Sequence, residues 1–157
     1  MPTEHPAIIR FRDEHALRGG SGEIVILPES VHTAALAAEA LGCEVGAIAN
    51  SLVFNDDGTP VLILTSGRHR VDTAKTATTI GSGRLARATP EFVREHTGQV
   101  IGGVAPIGHP AQVTTYIDTW LEEYDVLWAG AGIPAAVFST TYNELIEMTD
   151  ATEIEVE

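Results

Sequence analysis

The chain contains short apolar runs of the kind that form strands, and between them short segments whose apolar residues and end residues are typical of helices. This pattern predicts strands and short helices in succession. The run "EIVIL" (23–27) is typical of a strand. The segment "SVHTAALAAEALG" predicts a helix, because Thr33 can cap its first turn and Gly42 stands where a left-handed residue ends a helix. Next, "AIANSLVF" and "PVLILTS" flank the turn sequence "NDDGT". This arrangement predicts a β-hairpin.

The rest of the chain follows the same pattern. The segment "VDTAKTATTIG" predicts a helix between Asp72 and Gly81, and "TPEFVREHTG" predicts one with Thr89 as N-cap, Pro90 at its first position and Gly98 at its end. "TWLEEY" predicts a helical turn and "TYNELIEMT" a last helix, and further strands are expected at "RLARA", "QVTTYID", "DVLWAG", "AAVFST" and, as an edge strand, "EIEV". Because no βαβ period is visible, we expect an α+β fold with a curled, largely antiparallel mixed sheet and short helices packed around it.

Length and composition indicate one domain of an intracellular protein. Of the 157 residues, 1–22 end in the flexible sequence "RGGSG" and are expected to form an N-terminal arm or first helix, with the domain proper at 23–157. The single cysteine, Cys43, cannot form a disulfide within the chain, and no run is long and apolar enough for a signal peptide or a membrane span. We therefore expect a soluble, cytoplasmic protein without a membrane partner.

The charge is strongly acidic but unevenly distributed. The net charge of −13 argues against general affinity for nucleic acid, because phosphate contacts supply most of that affinity. No lysine or arginine follows position 94, and six of the nine basic residues fall in one segment: Arg68, Arg70, Lys75, Arg84, Arg87 and Arg94. This distribution fits either one basic face on an acidic body or charge-balanced surface helices.

Several familiar chemistries find no support in the sequence. "GAGIPA" (130–135) matches a dinucleotide-binding fingerprint, but a β-type run follows it where a helix should begin, so we interpret it as a glycine-rich turn between two strands. No serine lies in G-x-S-x-G, and the six histidines lack metal-ligand spacing. We expect no metal and no cofactor. His69 and His109 differ from the other histidines because each lies in a loop beside glycines, where a side chain can either face a cleft or simply be solvated.

The segment "QVIGGVAPIGHPA" (99–111) is uncharged apart from its histidine and rich in glycine and proline. Gly102 and Gly103 permit backbone N–H groups to approach a bound oxygen closely, and Pro106 stiffens the other limb of the loop. Such a loop suits a carbonyl or oxyanion site built from backbone donors, although a tight buried turn would have the same composition.

Four motifs, in this order, resemble the YbaK / prolyl-tRNA synthetase-associated domain family from residue 24 to the end of the chain. They are "TAALAAEALGCEVGAIANSLVF", "DGTPVLILTSGRHRVDTAK", "TGQVIGGVAPIGH" and "YDVLWAGAGIPAAVFSTTYNEL". The resemblance implies a small α+β domain that hydrolyses the ester of misacylated tRNA, here as a free-standing protein. The implied partners are a mischarged aminoacyl-tRNA and an aminoacyl-tRNA synthetase acting in trans.

The resemblance also implies the site residues. The first glycine loop maps to Gly102, Gly103, Pro106 and Gly108 and the second to Gly130 and Gly132, and the two would hold the aminoacyl group and the terminal adenosine between them. Ser66, Gly67 and His69 would line the same cleft. Lys75 and the arginines near it would face acceptor-stem phosphates.

One position departs from the family pattern. Many members carry a lysine, important for deacylation, followed by threonine or serine, where this chain has Asn50 and Ser51. We expect Asn50 to orient the substrate, His69 or His109 to move a proton, and water or the substrate's own hydroxyl to attack the ester. The alternative function is a non-catalytic module that binds an aminoacyl or nucleotide-like ligand and has lost turnover with the lysine. A purely structural or interaction protein is a third possibility.

Overall fold

A computed structural model describes residues 5–28 and 33–157. In this part of the chain five α-helices pack around one sheet of eight strands. The helices are α1 (Pro6–Leu17), α2 (Ala34–Leu41), α3 (Thr73–Ile80), α4 (Pro90–Thr97) and α5 (Tyr142–Thr149). The strands are β1 (Ile24–Ile26), β2 (Ile48–Asp56), β3 (Thr59–Ser66), β4 (Ala86–Arg87), β5 (Thr114–Asp118), β6 (Leu127–Gly130), β7 (Ala136–Thr140) and β8 (Thr152–Ile154). Single 3₁₀ turns span Val45–Ala47 and Thr119–Glu123.

The helix boundaries follow from the capping residues. The Thr33 hydroxyl accepts a hydrogen bond from the Leu36 amide at the start of α2, which is the N-cap role predicted from the sequence. Asp72 caps α3 and Thr89 caps α4 in the same way. Gly42 ends α2 in the left-handed conformation, as do Gly81 and Gly98 for their helices. The first two residues of the α2 motif and His32 lie outside the described residues.

The sheet is mixed, as expected, and mostly antiparallel. Its strand order is β1-β7-β6-β2-β3-β5-β8, with β4 paired to β2 beside this path. The predicted hairpin is present as β2 and β3, which pair from Ala49 and Ser66 to Asp56 and Thr59. The "EIEV" strand lies at the edge of the sheet, where Thr152–Ile154 pair with β5. The α+β class expected from the sequence is therefore confirmed.

The main core joins the first helix to the centre of the sheet. Phe11 of α1 is fully buried, and its ring lies 4.7 Å from that of Phe138 on β7. His15 stacks on Phe11 one turn later. The described part of the predicted arm is thus a helix that packs in the same core as the sheet. No helix in residues 5–28 or 33–157 has the length and hydrophobicity that a membrane span requires.

One edge of β2 is only partly paired with other strands. Strand β3 covers one edge of β2 along almost its whole length. On the opposite edge, β6 pairs with Ile48 and Ala49, whereas β4 pairs with Phe54 and Asn55. Within residues 5–28 and 33–157, residues 50–53 have no strand partner on that side. The sheet therefore contains a gap of four residues, about 13 Å long at the usual rise of a strand.

Candidate active site

A cavity of about 590 Å³ lies at the gap between β4 and β6. This volume is within the range of sites that bind small molecules. Residues of β2, β6 and α2 line it together with parts of both glycine loops. Of the residues predicted for the site, the cavity lining includes four: Asn50, Ser51, Gly102 and Gly130.

Hydrogen bonds with the Gln99 side chain stabilise the conformation of the first glycine loop. This side chain is buried, and its Oε1 accepts a hydrogen bond of 2.8 Å from the Ala105 amide. Its Nε2 donates to the Ile107 carbonyl at 3.4 Å. On the other side of the loop, His109 Nε2 lies 2.8 Å from the Ala105 carbonyl oxygen. The conformation of the loop is thus set by two polar side chains that bond to its backbone.

The two glycine loops touch each other through their backbones. A Cβ atom on Gly103 would lie 2.5 Å from Ile133 C and Pro134 N in the second loop. A Cβ atom on Gly130 would lie 2.7 Å from the Val104 carbonyl oxygen. These separations are shorter than van der Waals contact, so only residues without a side chain permit this approach. The glycines at these two positions bring the loops together at one end of the cavity.

The amides available to a ligand differ along the first loop. The Gly103 N–H donates to the Val100 carbonyl at 2.9 Å and is therefore occupied. Gly102 and Val104 both line the cavity, and neither of their N–H groups has a hydrogen-bond partner among the described residues. Gly102 has a φ of +89°, a conformation that residues with a side chain rarely adopt. Gly102 and Val104 are therefore the better candidates for donors to a bound carbonyl oxygen.

Asn50 and Ser51 bring polar atoms to the open edge of β2. The Asn50 side chain, half-buried and opposite Thr65 of β3, has no hydrogen-bond partner in the described part of the chain. The Ser51 Oγ atom is buried and is likewise unpartnered among the described residues. A hydrogen bond from a ligand to the buried Ser51 Oγ atom would recover free energy that the free site lacks.

The turn after β3 supports the cavity from outside its lining. Ser66 is fully buried and donates from its hydroxyl to the Gly46 carbonyl at 2.7 Å. A Cβ atom on Gly67 would lie 2.4 Å from the Val45 carbonyl oxygen, and the Gly67 amide donates to Ile48, the first residue of β2. Ser66 and Gly67 therefore hold the start of the strand that carries Asn50, and neither lines the cavity.

His69 belongs to a separate polar cluster around Asp118. Its Nδ1 lies 2.7 Å from Asp118 Oδ2 and its Nε2 lies 3.5 Å from Glu157 Oε1. The buried Asp118 carboxylate also accepts hydrogen bonds from the amides of Ser66 and Trp120. The ring of His69 packs 5.5 Å from that of Trp120. None of these groups is part of the cavity lining.

Lys75 lies at the Asp118 cluster and does not line the cavity. Its Nζ donates to the main-chain carbonyl of Glu157 at 2.6 Å. The Arg68 guanidinium lies over the Trp120 ring, 4.5 Å from its centroid. The basic residues predicted to face tRNA are therefore divided, with Arg68 and Lys75 near the Asp118 cluster and Arg87 at the cavity.

Three of the remaining site candidates lie around a smaller cavity of about 190 Å³. Pro106, Gly108 and His109 line it, together with Glu14 of α1 and Arg18, the C-cap of that helix. Burial lowers the pKa of His109 below its ordinary value, because a charged imidazole is poorly solvated there. Gly132 packs against the start of α1, where a Cβ atom would lie 2.9 Å from the Ala7 carbonyl oxygen.

Sequence reasoning did not single out Gln99, Asp118 or Val104. A glutamine or an aspartate at the end of an apolar run has no distinctive spacing, so its partners become visible only when distant segments meet. For Gln99 a weak signal was present, since it begins the uncharged segment and is the last polar residue before the two glycines. Nothing in the sequence distinguishes the free amide of Val104 from the occupied amide of Gly103.

Comparison with known proteins identifies the family of this chain. The model of the aminoacyl-tRNA editing domain family matches residues 28–148, and the chain belongs to that family. The resemblance drawn from the four motifs is thereby confirmed. "GAGIPA" is confirmed as the turn between the paired strands β6 and β7.

Relatives occur both as separate chains and within synthetases. A crystal structure described as that of a proposed trans-editing enzyme for prolyl tRNA synthetase is 40% identical, with a TM-score of 0.93 over 99% of both chains. The uncharacterized protein YwhH of Bacillus subtilis is 32% identical over 72% of each protein. The proline–tRNA ligase of Levilactobacillus brevis is 28% identical over 68% of this chain, which corresponds to only 19% of the ligase.

Proposed function

We propose that the protein is an aminoacyl-tRNA deacylase that acts in trans and hydrolyses the ester between a wrong amino acid and its tRNA. The observation that carries the proposal is the cavity at the sheet gap, which combines Asn50 with free amides of the first glycine loop in a chain of the editing-domain family. The likeness to a proposed trans-editing enzyme over nearly the whole chain supports action apart from a synthetase, and its description supports prolyl-tRNA as the tRNA class.

In this proposal the first loop polarises the ester. The N–H groups of Gly102 and Val104 would donate to the ester carbonyl oxygen and stabilise the negative charge that develops on it during attack. This role needs donors fixed in advance, and the hydrogen bonds of Gln99 to the loop backbone supply that rigidity. Gly103 acts indirectly, since it brings the second loop into contact with the first.

The attack is assisted by the substrate itself. The described lining of the cavity contains no carboxylate, histidine or lysine that would serve as a general base. A water oxygen attacks the carbonyl carbon and passes one proton to the neighbouring ribose hydroxyl, which gives its own proton to the leaving ribose oxygen as the ester C–O bond breaks. The amino acid leaves as a carboxylic acid and releases the second proton of the water to solvent, which gives the carboxylate. The protein contributes positioning and electrostatic stabilisation.

Asn50 would orient the substrate through its neutral amide. An asparagine both donates and accepts hydrogen bonds, whereas the lysine common at this position only donates. The carbonyl oxygen of Asn50 is therefore able to accept a hydrogen bond from the amino group of the aminoacyl moiety. His69 and His109, which were expected to move a proton, are assigned to supporting roles in this proposal.

Deacylation of mischarged tRNAs tests the proposal directly. The purified protein is incubated with a panel of tRNAs that carry non-cognate amino acids, including tRNAPro charged with amino acids other than proline, and ester loss is compared with that in buffer. We expect accelerated hydrolysis of at least one substrate, and its loss in an Asn50→Ala variant of unchanged melting temperature.

The Asn50→Lys variant separates the enzyme from the binding module. Hydrolysis by Asn50→Lys with none by the wild type would show that the natural protein is a binder without turnover. No hydrolysis by either protein, together with no binding of an aminoacyl-adenosine analogue, would exclude both functions.

A further inference from the structure

The described lining of the large cavity contains one charged side chain, that of Arg87. Arg87 lies on β4 and is exposed, and its guanidinium has no ion pair or hydrogen bond within residues 5–28 and 33–157. Arg18 pairs with Glu14 at 3.0 Å and Lys75 donates to Glu157, whereas the guanidinium of Arg84, like that of Arg87, has no partner among the described residues. An unpaired arginine in an otherwise neutral cavity is available to an anion from outside the protein.

The strand register places Arg87 at one end of the gap. Arg87 pairs with Phe54 of β2, four residues beyond Asn50. The two backbone positions are therefore about 13 Å apart along the strand. Because β6 runs parallel to β2 and pairs Ala129 with Ala49, Gly130 lies level with Asn50, so its contact with Val104 of the first loop is at the Asn50 end of the gap. The cavity thus has a cationic end at β4 and an uncharged end at β6.

The chemistry of an aminoacyl ester determines which part of it suits each end. The carboxyl group of the amino acid is consumed in the ester, and its amino group is a cation at neutral pH. The negative charges of the substrate are those of its phosphates. A guanidinium attracts a phosphate, with which it can form two parallel hydrogen bonds, and repels the amino group.

We propose that Arg87 binds the 5′-phosphate of the terminal nucleotide and thereby sets the direction of the substrate in the cavity. The nucleotide then lies toward β4, and the aminoacyl group lies toward Asn50 and the glycine loops. This inference rests on the proposed function and adds to it a phosphate site and an orientation. In a protein of net charge −13, a local cation at this point also offsets the general repulsion of tRNA.

Two non-hydrolysable analogues test the assignment. Both are 3′-aminoacylamino-3′-deoxyadenosines, one with a 5′-phosphate and one with a free 5′-hydroxyl, and their Kd values are measured by calorimetry at low salt. We expect the wild type to bind the phosphorylated analogue about tenfold more tightly, as is typical of one exposed charged hydrogen bond. Arg87→Gln should abolish this preference and leave the affinity for the 5′-hydroxyl analogue unchanged.

The matched control is Arg84→Gln, which removes an exposed arginine three positions away that does not line the cavity. This variant should retain the tenfold preference. With mischarged tRNA, Arg87→Gln should raise KM about tenfold with little change in kcat, because the phosphate contact is the same in the ground state and the transition state.

Equal affinity of the wild type for the two analogues, or a preference that persists in Arg87→Gln, would overturn the phosphate site. If the wild type deacylates tRNA in the same experiments, the proposed function stands while this inference fails. If neither analogue binds and no tRNA is deacylated, both are overturned.

Discussion

Replacement of Gly103 by alanine should push the two glycine loops apart. The added Cβ would lie 2.5 Å from Ile133 C and Pro134 N, whereas carbon atoms in a protein interior pack at about 3.5–4.0 Å. The neighbours are backbone atoms, which cannot rotate away as a side chain would, so one loop must move by roughly 1 Å. Overpacking of this kind costs about 1–3 kcal/mol of the free energy of unfolding.

Two measurements test this effect, one of stability and one of function. In a domain of this size each kcal/mol lowers Tm by roughly 2–4 °C, which thermal or urea unfolding resolves easily. A displacement of about 1 Å at a site that depends on positioning should lower kcat/KM by about 100-fold. The control is Gly83→Ala, since a Cβ there meets no atom within 4 Å and the backbone needs no positive φ. We expect Gly83→Ala to behave like the wild type.

Wild-type Tm and wild-type activity in Gly103→Ala would show that the added Cβ does not displace the loops. Loss of stability with full activity would mean that contact between the loops does not shape the site. Loss of activity in Gly83→Ala would show that the assay responds to changes remote from the cavity.

Three further predictions concern the polar groups that hold the site. Gln99→Leu should lower the free energy of unfolding by about 1–3 kcal/mol in urea titration, because the buried Ala105 amide loses its acceptor; an unchanged midpoint would contradict this. Burial lowers the pKa of both His15 and His109, so the unfolded chain binds more protons below its own histidine pKa of about 6.5. The free energy of unfolding should therefore fall between pH 7 and pH 5, and the slope should be smaller in His109→Gln; a profile that is flat in the wild type would refute the assignment. Asp118→Ala should lower Tm through the loss of its three hydrogen bonds, and a Tm equal to that of the wild type would show that the cluster is replaceable.

Much of the secondary structure was predictable because its determinants are local. Thr33, Asp72 and Thr89 each bond to an amide three residues further along the chain, so the signal and its effect lie within one helical turn. The hairpin of β2 and β3 was predictable because its turn sequence, too, acts over only a few residues. For the candidate site, the glycines of both loops and Asn50 could be selected from the sequence through their places in the four family motifs.

The tertiary structure decided which of these residues meet. Asn50, Gly102 and Gly130 come together at the cavity, whereas His69 joins Asp118 and His109 lies at a smaller cavity. The gap in the sheet and the place of Arg87 at its end do not follow from local sequence patterns. Both depend on which residues of one edge of β2 pair with β4 and which pair with β6. Strand pairing joins residues far apart in sequence, and short-range preferences carry no information about which partner a strand edge will find or where that pairing stops.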